Sequence, residues 1–337
     1  MTKEQRIHAF AELGKQLLHP SSEFTEIMTR AETRNPWYTV SNVQNAVTAL
    51  ANNLTTEQLN NWLAPYPDIT SDKTVGMVLA GNIPLVGFHD ILCVLIAGFS
   101  AQIKVSSDDA GLTAAVLQLL TVIEPRFSEV VHIADRLADF DLVIATGSDN
   151  SSRYFEYYFG KKPHIIRKNR NSVAVISGSE TKEQLEGLGH DIFDYFGLGC
   201  RSVSKILIPK DYDVAHLFEG IASFEAIQHH YKYVNNYDYN KSLYLINRDK
   251  HYDNGFVLLK EDSRTASPLA VVFYEEYDNI ADAENYLNQH AEQIQCVTSS
   301  LDLQIHIPLF RLGGSQCPAL NDYADGVNTL EFLFANA

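Results

Sequence analysis

The chain reads as an α/β protein built from parallel strands joined by crossover helices. Two observations predict this. Short apolar runs of strand length alternate with amphipathic stretches from residue 75 onward, and the alternation continues in a second block beyond residue 171. No internal repeat interrupts it. With 337 residues and 45% hydrophobic composition the chain can bury a sizeable core, and its length suggests two domains.

Residues 1–70 read as a polar helical segment with Ile7, Phe10, Leu13, Leu17 and Leu18 on one face and loops around Pro36 and Pro65. The first alternating block has strand-like runs at 75–80, 101–105, 130–133, 140–145 and 164–167, with helix-like stretches at 85–99, 110–123 and 150–159 between them. A nucleotide-binding doubly wound sheet is the candidate for it. The second block opens with a run at 172–176. A helix follows, announced by Thr181 with Gln184 three residues on and by Leu185, Leu188, Ile192, Phe193 and Phe196 at helical spacing. Strand-like runs at 205–208, 256–260, 270–274, 293–297 and 304–310 complete the block, and the domain boundary falls near Asn171. The aromatic and Asn-rich stretch 229–240 reads as a polar loop, with a lid or a subunit contact as the alternatives.

Charge and cysteine usage narrow the function. A formal charge of −16 opposes binding to nucleic acid or to an anionic membrane. The richest apolar stretch, 83–99, is interrupted by Gly87, His89, Asp90 and Gly98, so no stable membrane insertion is expected. The Met1 end lacks a basic stretch followed by an apolar one, and a cytoplasmic protein is expected. Cys93, Cys200, Cys296 and Cys317 form no close pair of pairs, which indicates reduced thiols rather than a metal site or a disulfide framework. Arg153, Lys161, Lys162, Arg167, Lys168 and Arg170 against Glu156 make a local basic island, which either steers an anionic ligand or is a solvated face.

Cys200 is the leading candidate for chemistry. It follows a helix stop, where Gly197 and Gly199 can supply left-handed backbone, and precedes the strand at 205–208. Arg201 and Lys205 beside it could lower the thiol's pKa; the competing reading is a small buried hydrophobe. Neither a Gly-x-Gly-x-x-Gly fingerprint nor a P-loop is present. Three other motifs stand at strand ends, where open α/β sheets bind ligands. They are Ala80-Gly81-Asn82-Ile83-Pro84, with an amide at Asn82; Lys104 followed by Val105-Ser106-Ser107, a cation with two hydroxyls; and Thr146-Gly147-Ser148 at a helix start. Cys93 and Cys296 read as core, Cys317 beside Gly314 and Pro318 approaches the site only in a minority reading, and His89 and His190 read as structural.

This ordered set resembles the aldehyde dehydrogenase superfamily, and within it the LuxC-type acyl-CoA reductases, over roughly residues 75–335. The Trp-Asn pair of family dehydrogenases is matched by Gly81-Asn82-Ile83-Pro84, their lysine by Lys104, their Thr-Gly-Ser turn by Thr146-Gly147-Ser148, and their nucleophile by Gly197-Leu198-Gly199-Cys200. Arg311-Leu312-Gly313-Gly314 and Tyr323-Ala324-Asp325-Gly326-Val327-Asn328-Thr329-Leu330-Glu331-Phe332 look like the LuxC-type ending. The resemblance implies an aldehyde-dehydrogenase-like fold, with a Rossmann-like cofactor domain at 71–171, an α/β catalytic domain at 172–310 carrying Cys200, the helical segment 1–70 packed on the cofactor domain, and a C-terminal return segment at 311–337.

Two departures shape the implied activity. Where hydrolytic members carry a water-activating glutamate the alignment places Arg167, and the acid of their later Glu-x-Phe-Gly-Pro motif is missing before Pro268. Without a base an acyl-cysteine hydrolyses slowly, which suits a reductase. Ser107 replaces the glutamate that repels a 2′-phosphate, which favours NADPH over NADH even with Asp108 adjacent. The implied reaction is NADPH-dependent reduction of an acyl-CoA, of fatty type, to the aldehyde: Cys200 takes the acyl group, Asn82 with the Cys200 backbone N–H stabilises the oxyanion, and Lys104, Ser106, Ser107, Thr146, Gly147 and Ser148 hold the cofactor. A reductase of an acyl phosphate and a non-catalytic partner subunit of a fatty-acid-handling complex remain open. The implied assemblies are a homo-oligomer or a complex with fatty-acid-handling enzymes.

Overall fold

The computed structural model describes residues 1–147 and 149–337. The chain folds into two compact units, Met1–Asn169 with Ala319–Ala337 and Arg170–Pro318.

The first unit opens with α1 (Lys3–Leu18), α2 (Ser22–Arg34), α3 (Val40–Asn53) and α4 (Thr56–Leu63). Each starts at a hydroxyl cap, Thr2, Ser21, Thr39 or Thr55, whose side chain accepts an otherwise unpaired N–H of the first turn. α1 and α3 cross so closely that a Cβ on Gly14 would lie 2.7 Å from the Leu54 carbonyl oxygen. Then follow β1 (Thr74–Val78), α5 (Phe88–Ala97), β2 (Ser100–Lys104), α6 (Leu112–Ile123), β3 (Val131–Ile133), β4 (Leu142–Thr146), α7 (Asp149–Phe159) and β5 (His164–Arg167). The five strands are parallel, in the order β3-β2-β1-β4-β5. α5 starts three residues later than the apolar pattern suggests, because Pro84 and the left-handed Leu85 (φ 56°) hold a turn ahead of it. Phe10 and Leu13 of α1 share one core with Ile91 and Leu95 of α5 and Val116 and Leu120 of α6.

The second unit comprises β6 (Asn171–Val175), α8 (Lys182–Phe193), β7 (Val203–Pro209), α9 (Val214–Gly220), α10 (Tyr231–Asn247), β8 (Tyr252–Asp253), β9 (Leu258–Glu261), β10 (Val271–Tyr277), α11 (Ile280–Gln289), β11 (Ile294–Ser299) and β12 (Leu309–Phe310). Its sheet runs β12-β11-β6-β7-β10-β9-β8, parallel except for the two-residue edge strand β8. The strand expected over 304–310 shrinks to the two residues of β12. The stretch 229–240 is not a polar loop. It enters α10, because Tyr233, Tyr237, Asn240 and Tyr244 fall on one buried helical face. Tyr233 there donates to the Phe256 carbonyl at 3.1 Å and Asn240 to the Leu269 carbonyl at 3.0 Å.

The chain returns to the first unit at Ala319, and α12 (Thr329–Ala335) buries Leu330 and Leu333 in that unit's core. Among the described residues no helix is long and apolar enough to cross a membrane.

Candidate active site

In the first unit the carboxyl ends of β2, β1 and β4 lie side by side, with Val78 in register with Lys104 on one side and Ala145 on the other. The chain winds outward from β1 through β2 to β3 and then restarts at β4. The loops after β1 and β4 therefore flank the switch point at which open α/β sheets bind ligands.

Asn82 is half-buried in the loop after β1. The hydroxyl of Tyr38, which is fully buried, lies 2.9 Å from the Gly81 carbonyl oxygen and 3.1 Å from that of Ile83, so it pins the carbonyls on either side of Asn82. After β2, Lys104 and Ser107 are exposed. Ser106 Oγ accepts from the Asp108 N–H at 3.2 Å and caps the turn Ser107–Asp109. A Cβ on Gly81 would lie 2.6 Å from Ser106 Cβ, so only glycine lets these two loops touch. The end of α2 ties down the same loop: Arg34 donates to the Ala110 carbonyl at 3.1 Å and Asn35 Nδ2 to that of Asp108 at 2.9 Å. After β4, Thr146 and Gly147 are half-buried, and a Cβ on Gly147 would meet Phe155 at 2.8 Å and Ser151 at 2.9 Å. Ser148 lies outside the described residues. A cation and hydroxyls after β2 and a glycine turn before α7 thus stand at the carboxyl ends of the sheet, where open α/β sheets bind ligands.

Arg167 does not belong to a surface island. It is buried at the end of β5, ion-paired with Asp90 of α5, and it donates to Thr329 Oγ1 at 3.0 Å. Burial opposes its charge, and the Asp90 carboxylate more than restores it, so its pKa rises. A guanidinium held this way cannot serve as a base. Of the other cations in that stretch, Lys168 pairs with Glu156 at 3.0 Å and Lys162 reaches the Phe140 carbonyl.

Cys200 stands in the second unit, in the turn at the amino end of β7, half-buried. The approach to it is left-handed over three residues, Tyr195 (φ 53°), Phe196 (φ 59°) and Gly197 (φ 77°); Gly199, expected to share that role, is not left-handed. Bulky residues in this region cost about 1–2 kcal/mol each, so packing must hold them. Tyr195 is buried, the Phe196 ring centroid lies 4.1 Å from that of His230, and Phe193 packs on Phe224 and Phe256. The Ser202 N–H then donates to the Gly199 carbonyl at 3.0 Å, closing a four-residue turn with Cys200 in second place. The Cys200 carbonyl accepts from Ser172 Oγ at 3.0 Å, and Gln316 Nε2 donates to Ser202 Oγ at 3.3 Å.

Lys205 does not lend its charge to that thiol in the way its position suggested. Its ammonium is buried in the sheet, donating to the carbonyls of Asp262 (2.8 Å) and Arg264 (3.3 Å) and pairing with Glu275, and burial lowers its pKa. Arg201 lies over the Phe310 ring, 5.3 Å from its centroid.

Cys93 and Cys296 are fully buried, and burial pushes the Cys93 thiol well up. His89 bonds to the Leu320 carbonyl at 2.9 Å, and His190 pairs with Asp194 at 3.1 Å. A residue that sequence reasoning missed is Asp191, fully buried on α8, which accepts from the N–H groups of Gly313 (2.7 Å) and Ser315 (3.0 Å) and from Ser315 Oγ (2.7 Å). An acid on the apolar face of Leu188 and Ile192 was the signal for it. It keeps the Arg311-Leu312-Gly313-Gly314 motif in the second unit, so the return segment begins at Ala319 rather than 311.

Residues 59–223 match the family model of acyl-CoA reductase (LuxC). That match supports an oxidoreductase acting on acyl or aldehyde groups. Solved structures agree on the fold. Aldehyde dehydrogenase 21 from Physcomitrella patens, in complex with the reaction product succinate, matches with a TM-score of 0.71 at 12% identity, covering 100% of this chain and 84% of its own. An Escherichia coli NADP-dependent enzyme matches at 0.70 and 12%, covering 93% and 78%. A Mycobacterium tuberculosis aldehyde dehydrogenase complexed with NAD+ matches at 0.67 and 15%, again covering 93% and 78%. No curated protein matches the chain. The chain thus has an aldehyde dehydrogenase fold.

Proposed function

We propose that the chain reduces a fatty acyl-CoA to its aldehyde with NADPH, through an acyl-thioester on Cys200. The observation that carries this reading is the construction of the Cys200 turn: a half-buried thiol at the head of β7, on a left-handed approach held by aromatic packing, with the carbonyl of its own peptide anchored by Ser172. Left-handed aromatic backbone persists only where the surroundings impose it, and such strain collects at functional sites.

In this reading Cys200 Sγ bonds to the thioester carbonyl carbon, the carbon–sulfur bond to CoA breaks, and the CoA thiolate leaves. The Cys200 backbone N–H and the Asn82 side-chain amide are the assigned donors to the oxyanion. Lys104, Ser106, Ser107, Thr146, Gly147 and Ser148 are the assigned cofactor holders, and a bound nicotinamide supplies the hydride. The acyl-cysteine survives to be reduced because the position of the water-activating carboxylate is held by Arg167, a buried cation with no proton to take up. The exposed Ser107 at the end of β2, in place of an acid, supports NADPH over NADH.

The test is incubation of the purified chain with radioactive tetradecanoyl-CoA, with and without NADPH. The expected result is label on the wild-type protein, none on Cys200→Ser, and aldehyde with free CoA once NADPH is added. Turnover of tetradecanoyl phosphate in place of the CoA ester would redirect the reading to an acyl phosphate reductase. Absence of both labelling and NADPH binding would leave a non-catalytic partner subunit.

A further inference from the structure

Ser172, at the start of β6, is fully buried and touches no exposed surface. Its Oγ lies 3.0 Å from the Cys200 carbonyl oxygen and 3.0 Å from Cys296 Sγ of β11. A serine hydroxyl has one hydrogen to give, and a carbonyl oxygen can only accept. The Ser172 hydrogen therefore goes to Cys200, and the hydrogen between Ser172 and Cys296 comes from the thiol. A directed chain results, Cys296 S–H to Ser172 O–H to Cys200 C=O, crossing from one strand to its neighbour and ending on the turn.

The carbonyl it reaches is mechanically special. The turn 199–202 is closed by the Ser202 N–H on the Gly199 carbonyl at 3.0 Å. In such a turn the central peptide, here the one joining Cys200 to Arg201, is the plane that rotates between the two common turn types. One type needs a positive φ at the third residue, and Arg201 does not have it. The hydrogen bond from Ser172 holds that plane in the orientation the structure shows. It thereby fixes ψ at Cys200, which sets how the Arg201 N–H and the strand that follows are placed relative to the thiol-bearing Cα.

We infer that Ser172 is a positioning residue for the Cys200 nucleophile: it locks the central peptide of the turn without touching substrate, and Cys296 orients its hydroxyl. This rests on Cys200 as the acyl acceptor.

The experiment measures single-turnover acylation of Cys200 by tetradecanoyl-CoA, read by mass spectrometry of the Cys200 peptide, in the full chain and in Ser172→Ala, Ser172→Thr and Ser172→Cys. Ser172→Ala is expected to slow acylation about tenfold, with the half-saturating acyl-CoA concentration within about twofold of the parent, the size of one lost buried hydrogen bond. Ser172→Thr restores the hydroxyl and is expected to recover most of the rate. Ser172→Cys keeps the shape with a weaker donor and is expected to fall about threefold below the parent, which keeps the test open where the alanine variant does not fold. An alanine or cysteine variant that acylates at the parent rate, or a folded threonine variant as slow as alanine, overturns the inference. If the parent takes no acyl label at all, the acyl-acceptor reading has failed instead. Iodoacetamide alkylation of Cys200 across pH then reads the same lock: a rate profile displaced in Ser172→Ala and restored in Ser172→Thr sustains it, and superimposable profiles overturn it.

Discussion

Asn82 gains its position from Tyr38, a residue 44 positions earlier whose hydroxyl reaches the carbonyls on both sides of it. If Asn82 donates to the oxyanion, Asn82→Ala should lower kcat about 10²–10³-fold with little change in KM. Tyr38→Phe, which removes only the hydroxyl, should lower kcat by a smaller factor, about tenfold, and cost about 1 kcal/mol of stability in urea unfolding. Equal kcat in Tyr38→Phe and the parent would show that the loop holds itself. The thiols separate in the same way. Cys317 is the exposed cysteine, and partial burial of its sulfur, with Asp194 and Asp191 close by, pushes its pKa up. Because the folded value lies above the ordinary thiol value, Cys317 should react with iodoacetamide more slowly at pH 8 in the native protein than in urea. The difference should close as pH rises through the raised pKa, and timed alkylation with peptide mapping checks it. The Cys200 turn itself was legible in the sequence as a thiol between a helix stop and a strand. What was not legible is what holds it: left-handed backbone at Tyr195 and Phe196, set by aromatic packing, and the hydrogen bond from Ser172, 28 positions earlier in the chain, neither of which a local pattern encodes.

At the level of elements, the alternation of apolar runs marked every strand of the first sheet, most clearly β1 and β4, because a parallel strand covered on both faces is apolar along its length. It failed at α10, where the buried face is made of Tyr233, Tyr237, Asn240 and Tyr244. Polar tips on those rings and on Asn240 find buried carbonyls and Asp253, so a stripe that looks like loop composition is core once its partners are in place. It also failed at 304–310, where too few backbone groups meet β11 to extend β12. The turn between β6 and α8 is held by another acid. Glu180 accepts from the Ser177 N–H (2.7 Å), Ser177 Oγ (2.8 Å), the Gly178 N–H (2.9 Å) and Ser300 Oγ (2.8 Å), which ties the ends of β6 and β11 together. Burial alone would raise its pKa, and these donors more than offset it, so the folded value lies below the ordinary 4.5. A carboxylate depressed on folding contributes stability above its unfolded pKa and loses it as pH falls through the folded one. Glu180→Gln should therefore cost about 2 kcal/mol at pH 7, and the gap between variant and parent should shrink below pH 4.5. A gap that stays constant from pH 7 to pH 3 would show that shape, not charge, holds the turn.

On the scale of the whole chain, the first unit is discontinuous and the second is a single run, Arg170–Pro318. The returning segment is joined to the first unit by interactions that sequence distance conceals. Thr329 Oγ1 accepts from Arg167 at 3.0 Å, Trp62 Nε1 donates to the Tyr323 hydroxyl at 2.8 Å, and Lys73 Nζ donates to the Asn336 carbonyl at 2.7 Å. Leu330 and Leu333 are fully buried. Removing Ala319–Ala337 would strip three core leucines, Leu320, Leu330 and Leu333, worth about 1.5–3 kcal/mol each, and leave the Arg167–Asp90 pair without Thr329. Losses of that size approach the whole stability of an ordinary domain. A chain ending at Pro318 should therefore lose amide protection in α5 and β5, by more than about a hundredfold from a loss of at least 3 kcal/mol, while β6, β7 and β11 keep theirs. Hydrogen exchange read by mass spectrometry separates the two units peptide by peptide. Equal loss in both sheets would mean that the units unfold as one, and protection kept in both would mean that the returning segment is dispensable to the core it enters.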